Sequence, residues 1–213
     1  MKNYWKYLGL IVSVTGLSIY LIRKSKAQPI PTDYNKEAIG KLIVTTPNAG
    51  NSFNILIVYG GTDYATPSWM LSQIPNSILL NNLIFFAPYT KSINETFSEY
   101  TEYIRNRGFE QKSLSLIGFS AGGVDVMSKY DQNYRFFGLI DPSVSSGDEN
   151  KNYGSNTHLI YNNSNWGYYP SIKALQPKLA TKIANGGGSV ESVRLSHSEI
   201  PKYFWDKFQS MLT

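Results

Sequence analysis

Beyond residue 38 the chain alternates between short apolar runs and longer stretches of helical period. KLIVTT (41–46), FNILIVYG (53–60), NLIFFAPY (82–89), SLSLIGF (113–119), FFGLID (136–141), HLIYN (158–162) and SVRLS (192–196) are apolar or β-branched runs of strand length. Several are apolar on successive residues, which suits strands covered on both faces of a parallel sheet. Between them, SINETFSEYTEYIRNRG (92–108) carries Ile93, Phe97, Tyr100 and Ile104 on one helical face. Ser92 and Glu95 have the spacing of a capping box there, and Gly108 suits a C-cap. Residues 170–185 and 199–213 also read as helices, the first with a kink expected at Pro177. Alternation of this kind predicts an α/β fold, a mainly parallel sheet flanked by helices. The segments between strands are short, so no large cap is expected.

Ahead of this pattern lies a different one. MKNYWKYLGLIVSVTGLSIYLIRKSKAQ has no charge from Leu8 to Ile22, with Trp5 and Tyr7 extending the apolar run backwards. Helical rise lets a segment from Tyr4 to Ile22 cross roughly 30 Å of hydrocarbon. Aromatics at one end and Arg23-Lys24 at the other suit the two interfaces. Ser25-Lys26-Ala27 loosely resembles a signal-peptide cleavage site, but cations directly after the apolar run fit it poorly. Residues 1–26 are therefore expected to be a single-pass membrane anchor, 27–38 a linker and 39–213 the folded domain. Basic residues flank both ends of the run, so the side of the membrane is left open.

Charge adds one exclusion. The net charge of +5 arises from Lys2, Lys6, Arg23, Lys24 and Lys26, in a segment without acids; the remainder holds 15 basic and 15 acidic residues. The basicity belongs to the anchor, and no nucleic-acid partner is expected of the globular part. Absence of cysteine excludes disulfides, thiolate metal sites and a cysteine nucleophile. Only His158 and His197 are present, too few for most histidine-based metal sites; separately, neither a metal nor an organic cofactor is expected.

The chemistry begins at Gly118-Phe119-Ser120-Ala121-Gly122, where a buried run stops and a helical stretch starts. The pattern G-x-S-x-G at a strand-to-helix turn holds a serine Oγ above the sheet, and small neighbours let strand and helix approach. The following backbone N–H, on Ala121, then points to where an oxyanion forms. The bland alternative is a tight turn that contains a serine.

This arrangement resembles the α/β-hydrolase family, and Gly-Phe-Ser-Ala-Gly-Gly is similar to the nucleophile elbow of its esterases and lipases. The resemblance implies further parts. Tyr59-Gly60-Gly61-Thr62 follows an earlier strand and resembles the His-Gly-Gly oxyanion loop, with tyrosine in place of histidine. Gly61 is the expected second donor, with Thr62 as the neighbouring option. His197 stands late in the chain, before the last helix, where the family has its general base. His158 opens an inner strand and reads as a packing or hydrogen-bonding residue. The family's acid most often follows the penultimate strand, where this chain has Asn162, Asn163 and Asn165. Asp141 ends FFGLID one strand earlier, a position some lipases use, and is the expected acid; Asp148, Glu149 or an asparagine are alternatives.

The resulting expectation is a membrane-anchored serine hydrolase that cleaves a small-molecule or lipid ester. Ser120, His197 and Asp141 form its triad, and Gly61 and Ala121 its oxyanion hole. A non-catalytic module keeping the fold, or an acyltransferase using the same serine, are the alternatives. The tyrosines read mostly as core and surface filler, with Trp166, Tyr168 and Tyr169 as candidates to line a substrate groove.

Overall fold

The computed structural model describes residues 34–62, 65–163 and 174–213. An eight-stranded sheet forms their centre: β1 (Tyr34–Ile39), β2 (Leu42–Pro47), β3 (Ser52–Tyr59), β4 (Asn82–Ala87), β5 (Glu110–Phe119), β6 (Phe136–Ile140), β7 (Thr157–Asn162) and β8 (Ser189–Val193). Its spatial order is β1-β2-β4-β3-β5-β6-β7-β8. β2 runs antiparallel to β1 and β4; every pairing from β4 to β8 is parallel. The helices are α1 (Pro67–Gln73), α2 (Asn76–Asn81), α3 (Ile93–Arg107), α4 (Gly122–Ser128), α5 (Gln176–Asn185) and α6 (Ile200–Leu212).

Side-chain alternation along each strand divides the core in two. Ile55, Ile57, Phe85, Leu116, Phe137 and Leu139 face one side, where they pack with Ile93 and Tyr103 of α3, Val126 of α4 and Leu179 of α5. Leu56, Val58, Phe86, Ile117, Phe136 and Ile140 face the other and pack with α1, α2 and α6. Phe204, Trp205, Phe208 and Leu212 bury the inner stripe of α6. Each such side chain contributes about 1.5–3 kcal/mol. Strands β2 to β7 are thus covered on both sides, which is why their sequences read as apolar runs.

Four local expectations are corrected. Residues 34–38, the expected end of the linker, are most of β1, an edge strand whose YNKEAI is largely polar. Ladder bonds to β2 and the Arg107–Glu37 ion pair (2.9 Å) hold it, so no apolar run announces it. β8 begins three residues earlier than SVRLS suggested, because its pairing with β7 starts at Ser189. Ser92 is the N-cap of α3 but its side chain makes no cap bond; its carbonyl accepts from the Thr96 N–H instead (3.0 Å). Pro177 stands in the first turn of α5, where its missing N–H has no helical partner to lose, and makes no kink. Gly108 closes α3 in the left-handed conformation (φ 65°), as its position implied.

The anchor expected over 1–26, the start of the linker, and Trp166, Tyr168 and Tyr169 lie outside the described residues. Among those described, no helix is long and apolar enough to cross a membrane.

Candidate active site

β5 ends at Phe119 and α4 starts at Gly122, leaving Ser120 and Ala121 to make the turn. Ser120 adopts φ 53°, a left-handed conformation that costs a non-glycine residue on the order of 1–3 kcal/mol. Several contacts hold it there. Its N–H donates to the Ile140 carbonyl (3.1 Å), and its own carbonyl accepts from Gly123 N–H (2.9 Å) and Ser143 N–H (2.7 Å). The glycines of the motif answer to crowding. A Cβ on Gly118 would lie 2.5 Å from Val126 Cγ2, and one on Gly122 2.4 Å from the Gly60 carbonyl oxygen. The half-buried serine is therefore fixed where strand, helix and the loop after β3 converge.

That loop is Gly60-Gly61-Thr62. Gly60 N–H still belongs to the sheet, donating to Ala87 O (2.9 Å), so the first amide beyond the ladder is that of Gly61. A Cβ on Gly61 would stand 2.8 Å from Ser120 Cβ and 3.3 Å from its Oγ. Tyr59, standing where the resemblance has histidine, is fully buried and donates its hydroxyl to Thr96 Oγ1 (2.6 Å). Burial pushes its phenol well above the usual tyrosine range. It anchors the loop to α3 as a neutral group.

His197 and Asp141, 56 residues apart, meet at 2.6 Å through Nδ1 and Oδ2. The acid side chain is 3% exposed and the imidazole 41%, so the carboxylate is enclosed while the ring reaches solvent. A carboxylate on Nδ1 selects the tautomer with that proton and leaves Nε2 for proton exchange. The imidazole also stacks on Phe119, the residue before Ser120 (centroids 4.6 Å apart, planes at 28°). Phe119 in turn stacks on Trp69 of α1 (5.6 Å). The loop bearing His197 is closed by Glu199, whose carboxylate accepts from Ser196 N–H (2.9 Å) and Ser196 Oγ (2.5 Å). Those two bonds hold the Glu199 carboxyl below the usual range.

Solved structures share this fold. Carboxyl esterase 2 from the mycorrhizal fungus Tuber melanosporum superposes with a TM-score of 0.56 at 10% identity, covering 89% of this chain and 90% of the esterase. A Lactobacillus plantarum protein described as a putative carboxylesterase gives 0.56 at 12% identity, over 84% and 96%. The truncated form of a carbohydrate esterase from gut microbiota gives 0.54 at 11%, over 87% and 99%. The chain has the α/β-hydrolase fold. No protein-family model and no curated protein matches its sequence.

Within the α/β-hydrolase fold, the other candidate acids have local tasks. Asp148 pairs with Lys151 (2.8 Å), and Glu149 accepts from Gly147 N–H (2.7 Å) in the same turn. Asn162 occupies the end of β7, the position where the resemblance most often has its acid. Its backbone N–H donates to Asp141 Oδ1 (3.0 Å) and its side chain to the Leu195 carbonyl (2.8 Å). It thus braces both the acid and the loop of the imidazole. Gln176 of α5 also donates to Asp141 Oδ1 (3.2 Å). Neither the Asn162 nor the Gln176 contact was read from the sequence. A glutamine in the apolar stripe of α5 was a usable signal, as was the S-x-x-E spacing of Ser196 and Glu199 around His197. His158, by contrast, packs between Phe136 and Phe208 (4.3 and 4.9 Å), and neither nitrogen has a hydrogen-bond partner among the described residues. Among the described residues no group of His, Asp and Glu is arranged to hold a metal ion.

Proposed function

We infer that the protein is a serine hydrolase that cleaves carboxylic esters. Ser120 Oγ attacks the acyl carbonyl carbon as its proton passes to His197 Nε2. The N–H groups of Gly61 and Ala121 take the oxyanion that forms. Collapse of the tetrahedral adduct breaks the C–O bond, and the leaving alcohol takes the proton from Nε2. A water molecule, deprotonated by the same nitrogen, then attacks the acyl-enzyme, releasing the acid and restoring the serine hydroxyl. Asp141 stays ionised throughout, orienting the ring and stabilising the imidazolium. The observation that best supports this reading is the 2.6 Å bond between His197 and Asp141, with the ring stacked on the residue that precedes Ser120. The solved structures of the same fold described as carboxylesterases point to the same bond type.

Residues 1–26 serve in this reading as a single-pass anchor that holds the domain at a membrane surface, supported by the uncharged run from Leu8 to Ile22. A lipid or other acyl ester presented at that surface is then within reach.

A fluorophosphonate probe tests the chemistry. Labelling of the wild-type protein and none of Ser120→Ala is expected. Labelling that persists without Ser120, or a folded wild type that does not react, would refute the assignment. Alkaline extraction of membranes tests the anchor: the full chain should stay with the lipid, and release into the supernatant would exclude a spanning segment.

A further inference from the structure

Asp141 is held on the side away from the imidazole. While Oδ2 meets His197, Oδ1 accepts from the Asn162 backbone N–H (3.0 Å) and from Gln176 Nε2 (3.2 Å). The same Gln176 nitrogen donates to the Pro142 carbonyl at 2.8 Å. One side-chain amide thus bridges the carboxylate and the peptide that follows it.

Gln176 is 3% exposed and opens α5, on the stripe that continues through Leu179, Ala180 and Ile183 into the core. Packing does not ask for a glutamine at such a position. Burial strips its amide of water and freezes its rotamers, losses that only good hydrogen bonds offset. Asp141, for its part, sits at φ 39° in a turn, with torsions about Cα–Cβ and Cβ–Cγ that could aim Oδ2 elsewhere. Donors from two different elements, β7 and α5, define the carboxylate plane.

The geometry points to Gln176 as a positioning residue, whose amide fixes the Asp141 carboxylate and through it the imidazole of His197. The catalytic consequence rests on the hydrolase reading above, whereas the hold on the Asp141–His197 pair does not. Gln176 needs no contact with substrate; it acts through the acid. Without its N–H, the carboxylate is less well stabilised as an anion and a stronger acceptor for the imidazole proton. The pairing of acid and imidazole, which a pH–rate profile reads, would then change.

Two variants separate this from a packing role. Gln176→Met keeps the shape without a donor, and Gln176→Glu keeps the length but turns the donor into an acceptor facing Asp141. Two readouts are taken: kcat and KM across pH with a short-chain nitrophenyl ester, and the His197 Nδ1–H resonance. The chain has only two histidines, so the ring protons are simple to assign. For Gln176→Met, kcat should fall roughly 10- to 100-fold at unchanged KM. The acid limb of the profile should move, further in Gln176→Glu, and the Nδ1–H resonance should broaden or vanish. A folded variant with a wild-type resonance and an unmoved acid limb would overturn the proposal, even if kcat fell. Should the wild type show no Ser120-dependent turnover, the resonance alone decides. Its loss in both variants upholds the hold on Asp141 while the hydrolase reading fails; its persistence overturns the hold as well.

Discussion

Ser120 and Asp141 are clasped together by their backbones. Ser120 donates its N–H to the residue before Asp141 and accepts, through its carbonyl, from Ser143 N–H two residues after it. They are the two non-glycine residues with positive φ among those described, 53° and 39°. The sheet sets both: Phe119 pairs with Ile140, so β5 and β6 end level and their turns lie side by side. Strain at both positions is held by the surrounding ladder rather than relieved, as is common where geometry serves chemistry.

Asp141→Asn should leave the fold intact, because asparagine tolerates a left-handed backbone. Its amide would face Nδ1 as a donor and favour the wrong tautomer, lowering kcat on the order of 10⁴-fold. Asp148→Asn removes only the partly exposed pair with Lys151 and should leave turnover unchanged. Esterase kinetics beside thermal melting of both variants tests the assignment, and normal turnover in Asp141→Asn would exclude it.

A methyl group on Gly61 has no room beside the serine, at 2.8 Å from Ser120 Cβ. Gly61→Ala should push the loop away from the oxyanion position and lower kcat about 10²-fold or more. Rate measurements on an ester, with circular dichroism to confirm folding, would show it.

Phe119 ties the strand that ends at Ser120 to the ring of His197. Phe119→Leu removes both stacks and should cost about 1 kcal/mol from lost aromatic contact alone. A lower melting temperature and a slower kcat should appear together. Loss of stability with fully retained kcat would show that the stack does not hold the imidazole.

His158 makes a separate prediction about pH. Burial lowers its pKa to about 4, below the 6.5 of a histidine in the unfolded chain. Between those values the unfolded chain binds a proton that the native protein refuses, so stability rises with pH across that window. Acidification through it should remove on the order of 3 kcal/mol. His158→Leu should flatten this slope, as read by urea denaturation at several pH values. An equal slope in the variant would place the titrating group elsewhere.

Much of this was legible in the chain. Apolar runs marked β2 to β7 because both faces of those strands are covered, and G-x-S-x-G marked the turn at Ser120 because crowding there admits only small neighbours. What escaped were elements that survive by pairing rather than by apolar content. β1 is a polar edge strand, and β8, with SVESV, is another whose start no hydrophobic step announces. The helices α1 and α2, at seven and six residues, are too short to show a period.

The sequence by itself determined the local parts: which segments become buried strands, where the serine turns, and that its basicity belongs to the first 26 residues. Which carboxylate meets His197 was decided only by tertiary structure. Asp141, Asp148 and Glu149 are similar as residues, and their difference lies in where the register of β6 against β5 and β7 delivers them. The same holds for Asn162 and Gln176, whose bonds to one oxygen of Asp141 join segments 21 and 35 residues away. Hydrogen bonds of that span leave no periodic trace, because the partners are chosen by the packing of α5 and β7 and not by spacing along the chain.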